Sequence, residues 1–183
     1  MGYLIFIFLV LLILLILLYN RFVRLENMVK EAWSDVDVQL KRRYDLIPNF
    51  VTIVKDYMKY ETQTLKEIVS ARNIALHQMS PDQKENSENQ IADKLRHLFA
   101  VAEQYPKLKS DKQFKELSNT LIEIENTLQS ARRYYNATVR NYNIALHSIP
   151  SNLLALFLHL SDKPYFEITD FETKNIQVVL DEK

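Results

Sequence analysis

The sequence predicts an all-α protein: an N-terminal transmembrane helix followed by an antiparallel bundle of about four long helices. Three observations carry that prediction. Tyr3 to Leu18 is an unbroken apolar run with no charge, no proline and no small residue. Gly2 is the only glycine in the chain. Downstream, apolar residues recur at spacings of three and four, the period of one helical face.

The apolar run reads as a membrane anchor spanning 1–19. As a helix, Met1 to Tyr19 would be about 28 Å long at roughly 1.5 Å per residue, close to a hydrocarbon core of about 30 Å. A cleaved signal peptide fits poorly, because no Lys or Arg precedes the run and Tyr19-Asn20-Arg21-Phe22 offers no small-residue cleavage site. With no cysteine in the chain there is nothing to acylate as a lipoprotein. The run also lacks the Gly, Ala or Ser needed for close helix pairing, so it reads as a tether. Arg21, Arg24 and Lys30, then Lys41, Arg42 and Arg43, follow it, while no basic side chain precedes it. The positive-inside rule therefore predicts a single-pass membrane protein with a cytoplasmic body.

The body, 20–163, is predicted as a helical bundle. Phe22, Leu25, Val29, Ala32, Trp33, Val36 and Leu40 mark a first helix continuing straight out of the anchor. Asp45-Leu46-Ile47-Pro48 is expected to turn a corner, since proline disfavours a helical residue before it. Val51, Val54, Met58, Leu65, Ile68 and Leu76 mark a second helix. The polar stretch from Ser80-Pro81-Asp82 to Asn89 is expected to be the clearest loop. Ile91, Leu95, Leu98, Phe99 and Ala102 mark a third helix that breaks at Tyr105-Pro106. The strictest pattern runs from Phe114 through Leu121, Leu128 and Tyr135 to Leu146, a coiled-coil-like fourth helix. A short, very apolar helix is expected over Leu153 to Leu160. The tail, 164–183, looks extended at Tyr165 to Ile168 and Ile176 to Leu180, too short for a sheet. Asn73-Ile-Ala-Leu-His77 and Asn143-Ile-Ala-Leu-His147 are identical, and both are expected near the ends of long helices.

Composition excludes several functions. Acidic and basic residues balance at 23 each, so no field favours nucleic acid. A lone glycine at position 2 rules out phosphate-cradling loops and a G-x-S-x-G elbow. None of His77, His97, His147 or His159 has a Glu three residues before it, so the di-metal bundle motif is missing. Ser130, Ser148 and Ser161 have no recognisable partners for nucleophilic chemistry. Glu123 and Glu125 read as members of a solvated helix face, since residues two apart do not face each other. The expectation is therefore no catalytic residue, no cofactor and no metal.

Two polar clusters stand out. Asp37, Gln39, Arg42, Arg43, Asp45 and Asn49 crowd the predicted corner; Arg132, Tyr134, Tyr135, Asn136, Arg140, Asn141, Tyr142 and Asn143 lie near the end of the fourth helix. The structural reading is that they satisfy backbone groups and one another within the bundle; the functional reading is a docking patch. An up-down bundle would place them at opposite ends.

The same residues carry a resemblance. Tyr19 to Asn27, the block Ala32-Trp33-Ser34-Asp35-Val36-Asp37-Val38-Gln39-Leu40-Lys41-Arg42-Arg43-Tyr44-Asp45-Leu46-Ile47-Pro48-Asn49, then Lys55, Tyr57, Glu61, Ala71-Arg72 and Ala131 to Asn143 closely resemble the LemA family of bacterial membrane proteins. Ile149-Pro150 and Phe166-Glu167 sit where that family has similar residues. The apolar stretch Leu153 to Leu160 departs from the more glycine-containing segment found there. The resemblance implies an N-terminal anchor in the bacterial cell membrane, with a helical bundle and no accepted catalytic residues or cofactor. It also implies membrane proteins as partners, a membrane-bound protease among them. The expected function is a non-enzymatic scaffold or regulator of membrane proteins. A self-assembling membrane-shaping protein and a hydrolase of unrecognised type are the alternatives.

Overall fold

The computed structural model describes residues 1–167, all helix and connection with no strand among them. Its first element, α1 (Gly2–Tyr57), is one helix of 56 residues, about 84 Å long at roughly 1.5 Å per residue. It is long and apolar enough to cross a membrane, and none of its apolar run is buried by the rest of the chain. Beyond that run its inner face turns to the bundle, burying Phe22, Val29, Ala32, Val36, Leu40, Tyr44, Ile47, Phe50 and Val54.

The expected corner at Pro48 is not there. Pro48 lies inside α1, where its ring leaves the Tyr44 carbonyl without the usual i+4 donor. The Arg72 side chain supplies the replacement, donating Nε–H to Tyr44 O at 3.1 Å. With that carbonyl satisfied from outside, the helix passes through the proline. It ends instead at Met58, whose fully buried side chain enters the core as the chain turns through Lys59–Glu61 into α2 (Thr62–Leu76). Arg72→Ala should cost about 1–3 kcal/mol, the scale of one buried polar group left without a partner. Urea unfolding of the full chain in detergent checks this, with exposed Lys66→Ala as the near-zero control.

The expected loop over 80–89 is also helix. α3 (Pro81–Ala102) starts with Pro81 in its first turn, and the Gln83 side chain accepts from the backbone N–H groups of Met79 and Ser80 at 3.2 and 3.5 Å. Ser-Pro-x-Gln is a helix-start signal, and the polar residues after it read as a loop only because the inner face here is polar. After the break at Tyr105 comes a short α4 (Pro106–Ser110). α5 (Lys112–His147) then begins with the Asp111 carboxylate accepting from Phe114 N–H at 2.9 Å. The repeated pentapeptides end α2 and α5 as expected, each burying its alanine, Ala75 and Ala145.

α1 and α5 run antiparallel, shown by the pairs Phe22–Tyr142, Trp33–Tyr135 and Phe50–Phe114 with ring centroids 6.2, 5.4 and 5.7 Å apart. α2 and α3 form a hairpin beside them, tied by Lys94 to Glu67 at 2.5 Å. The apolar segment expected over Leu153 to Leu160 folds as α6 (Ser151–Phe157). It stops where His159 takes a left-handed conformation with φ 52°. Leu160 N–H bonds Ala155 O at 3.0 Å and His159 N–H bonds Leu156 O at 3.2 Å, a helix ending that usually uses glycine. The chain then runs extended alongside α5 to Glu167; Ile168 and Ile176 to Leu180 lie outside the described residues.

Candidate functional site

Arg43 falls on the inner face of α1 between Leu40 and Ile47 and is 1 % exposed. Its Nη1 donates to Glu125 Oε2 of α5 at 2.7 Å, and its Nη2 donates to Glu88 Oε2 of α3. The other Glu88 oxygen accepts from the Tyr44 hydroxyl. The other Glu125 oxygen accepts from Arg132 Nη2 at 3.1 Å. Two arginines and two glutamates thus alternate across three helices, and their formal charges cancel. Glu88 is fully buried, so its charge depends on these two donors. Burial pushes the Tyr44 phenol up to about 12, although the Arg43 charge pulls the other way. The phenol therefore stays a neutral donor.

A second ion group adjoins the first. The buried Lys84 ammonium of α3 donates to Asp37 Oδ1, and Lys41 pairs with Asp37 Oδ2 at 2.8 Å. Lys84 Nζ also lies 5.9 Å from the ring centres of Trp33 and Tyr44, within cation–π range. Burial alone would raise Asp37, but hydrogen bonds and charge from Lys41 and Lys84 outweigh it and hold the carboxyl below its ordinary value of 3.8. A carboxylate depressed in the folded state contributes stability above its unfolded pKa and loses it as pH falls through the folded one. Asp37→Asn should therefore lower stability at neutral pH and flatten the decline below about pH 4. Urea midpoints measured across that range check both parts.

The second sequence cluster holds the tail. Asn136 donates Nδ2–H to Phe166 O at 3.1 Å and accepts from Phe166 N–H at 2.9 Å. Asn143 does the same with Lys163, at 3.0 and 2.9 Å. The spacing explains the fit. Seven helical residues rise about 10.5 Å and three extended residues span about 10 Å, so two amides on one face of α5 meet two peptides of the tail. Between them the Tyr135 hydroxyl donates to Pro164 O at 2.8 Å, and burial pushes its phenol up to about 12, with Asp82 adding to the rise. Phe166, 1 % exposed, enters edge-on against Trp33 at 5.4 Å. Tyr142 is buried against Phe22, with Lys163 Nζ 5.4 Å from its ring centre.

The structure thus divides the sequence-predicted residues. Asp37, Arg43, Arg132, Tyr135, Asn136, Tyr142 and Asn143 join networks along the α1–α5 seam. Arg42, Asp45 and Asn49 face outward with Tyr134, Arg140 and Asn141, and Arg42 donates to nearby Gln39 at 3.1 Å. The clusters do not sit at opposite ends, because antiparallel pairing of α1 with α5 lets Glu125 bridge Arg43 to Arg132. Glu125 is therefore not simply part of a solvated face. Glu88 and Lys84 went unrecognised at sequence level. Their signal was the spacing Lys84, Ser87, Glu88, Ile91, Leu95, a helical inner face written half in polar residues. A gap of about 300 Å³ between α3 and α5 opens onto this network, lined by Arg43, Leu95, Phe99, Leu121, Ile122 and Glu125 among others. At its floor each charged group already faces an opposite charge.

An apolar N-terminal helix long enough to cross a membrane, continuous with an all-helical body locked by buried ion pairs, defines a membrane-associated helical-bundle protein. The chain belongs to the LemA family, whose profile matches residues 32–179. It is 25 % identical over 161 residues to Protein LemA of Metamycoplasma hominis, covering 86 % of this chain and 72 % of that protein. It is 24 % identical over 175 residues to Magnetosome protein MamQ 2 of Paramagnetospirillum magneticum, covering 81 % of this chain and 64 % of the relative. Magnetosome protein MamQ of Magnetospirillum gryphiswaldense is likewise 24 % identical, and this chain spans 64 % of its length.

Proposed function

We propose that this protein is a single-pass, non-enzymatic scaffold that holds membrane-protein partners at a fixed distance from the bilayer. The observation that carries the reading is the continuity of α1, which serves as both anchor and central bundle helix. Beyond Tyr19 it extends about 57 Å at roughly 1.5 Å per residue, so no hinge separates the body from the membrane. The charged groups of the interior neutralise one another, which supports a role in rigidity rather than turnover. Relatives named as magnetosome proteins support a membrane location. The basic residues Arg21, Arg24 and Lys30 support a cytoplasmic body.

Orientation is checked on the cysteine-free chain by Ser34→Cys, an exposed position. An impermeant maleimide should label it only after the cells are opened. Crosslinking of the full chain in its native membrane, followed by mass spectrometry, tests the scaffold reading. A small, reproducible set of membrane proteins, a protease among them, is the expected result. Recovery of only the most abundant neighbours would overturn it.

A further inference from the structure

α6 turns Ser151 and Ala155 to the bundle, where both are buried, and Ser151 Oγ donates to Ala145 O at 2.6 Å. Its other side is apolar and open: Leu153, Leu156 and Phe157 are 68 %, 77 % and 79 % exposed, and Ile149 just before it is 86 % exposed. From Ile149 to Leu160 there is no Asp, Glu, Lys or Arg. So large a charge-free patch on a water-facing body marks a contact surface.

Its position selects the occupant. Leu153, Leu154 and Phe157 line a shallow hollow of about 510 Å³ together with Leu15, Ile16 and Tyr19 of α1. Those three belong to the last turns of the apolar run. Leu15 lies four residues short of Tyr19, roughly 6 Å along the axis at 1.5 Å per residue. Amphipathic helices that lie in a membrane surface bury their apolar face about 5–10 Å into the headgroup and acyl boundary. The depth forced on α6 by its contact with α1 is that depth. Charge resumes at the borders of the patch, with His147 paired to Asp162 at 2.9 Å and Arg21 and Arg24 just beyond the apolar run. A second copy is the less favoured occupant, since the adjoining anchor lacks small residues for close pairing.

We propose that α6 is a second membrane contact, an interfacial helix whose Leu153, Leu156 and Phe157 enter the acyl boundary beside the anchor and fix the tilt of the bundle. The proposal rests on the reading of α1 as a transmembrane anchor. Single cysteines at Leu156, Phe157, Leu12 and Tyr134 of the full chain, each carrying an environment-sensitive fluorophore, test it in phosphatidylethanolamine–phosphatidylglycerol vesicles. Far-UV circular dichroism matching the parent chain qualifies each variant as folded. Labels at 156 and 157 should emit blue-shifted light and be quenched by lipids with a nitroxide high on the acyl chain, but not by aqueous iodide. The Leu12 label should be quenched by deep nitroxides, and the exposed Tyr134 label by iodide alone. If iodide quenches 156 and 157 while Leu12 stays in lipid, the proposal fails and the anchor stands. Shielding of 156 and 157 from both iodide and nitroxide would mean a second copy covers α6, and would also overturn it. Iodide quenching at Leu12 would bring down the anchor reading and the proposal together.

Discussion

Arg43→Ala should be the most destabilising single charge removal in the chain, by about 3–5 kcal/mol, the cost of leaving a buried ionised partner uncompensated. The partner is Glu88, fully buried and otherwise held by the Tyr44 hydroxyl. Glu125 suffers less, because its side chain is 34 % exposed and Arg132 still reaches it at 3.1 Å. Lys41→Ala and Arg42→Ala, on the outer face of the same turn, should each change stability by about 0–1 kcal/mol. Urea titration of the full chain in detergent, followed by far-UV circular dichroism, measures all three. The double variant Arg43→Met with Glu88→Leu should recover most of the loss, because replacing both members of a buried pair by apolar groups is often neutral or stabilising. A double variant as unstable as Arg43→Ala alone would show that the pair contributes through something other than mutual neutralisation.

Phe166→Ala should cost a comparable amount, about 3–5 kcal/mol, as expected for emptying a fully buried phenylalanine site. Its ring packs edge-on against Trp33 partway along the α1–α5 seam, and its backbone N–H and C=O are both held by Asn136. Asn136→Ala removes two hydrogen bonds at once and leaves the Phe166 N–H and C=O without their partners. About 1–3 kcal/mol is expected for a buried group so orphaned. Trp33 is the only tryptophan, so its emission reports the docking of the tail directly. Both variants should shift that emission to the red and open the chain after Asp162 to proteolysis, whereas exposed Arg133→Ala should do neither. Unchanged emission in Phe166→Ala would show that the tail does not cover Trp33 in solution.

The elements legible in the sequence were those whose inner faces are apolar. Leu121, Leu128, Tyr135 and Leu146 step cleanly along α5, and α5 runs where the pattern placed it. The apolar run of α1 needed only its length. Where the inner face is polar the pattern fails, as in α3, whose Lys84 and Glu88 look solvated until Asp37 and Arg43 are brought opposite them. Pro48 misled for a related reason. A proline predicts a corner from local sterics alone, whereas the donor that rescues Tyr44 O arrives from Arg72, 28 residues further along the chain.

The sequence by itself therefore determined that the chain is helical, that it carries a membrane-length apolar helix near its N-terminus and that it resembles the LemA family, most densely over Ala32 to Asn49. Periodicity, hydropathy and composition are properties of each segment alone. Tertiary structure decided which charges are buried, that α1 passes through Pro48, that Asn136 and Asn143 grip the tail, and that α6 lies beside the end of the apolar run. Each of these depends on a partner supplied by a distant segment, and a polar side chain has the same local signature whether water or another helix satisfies it.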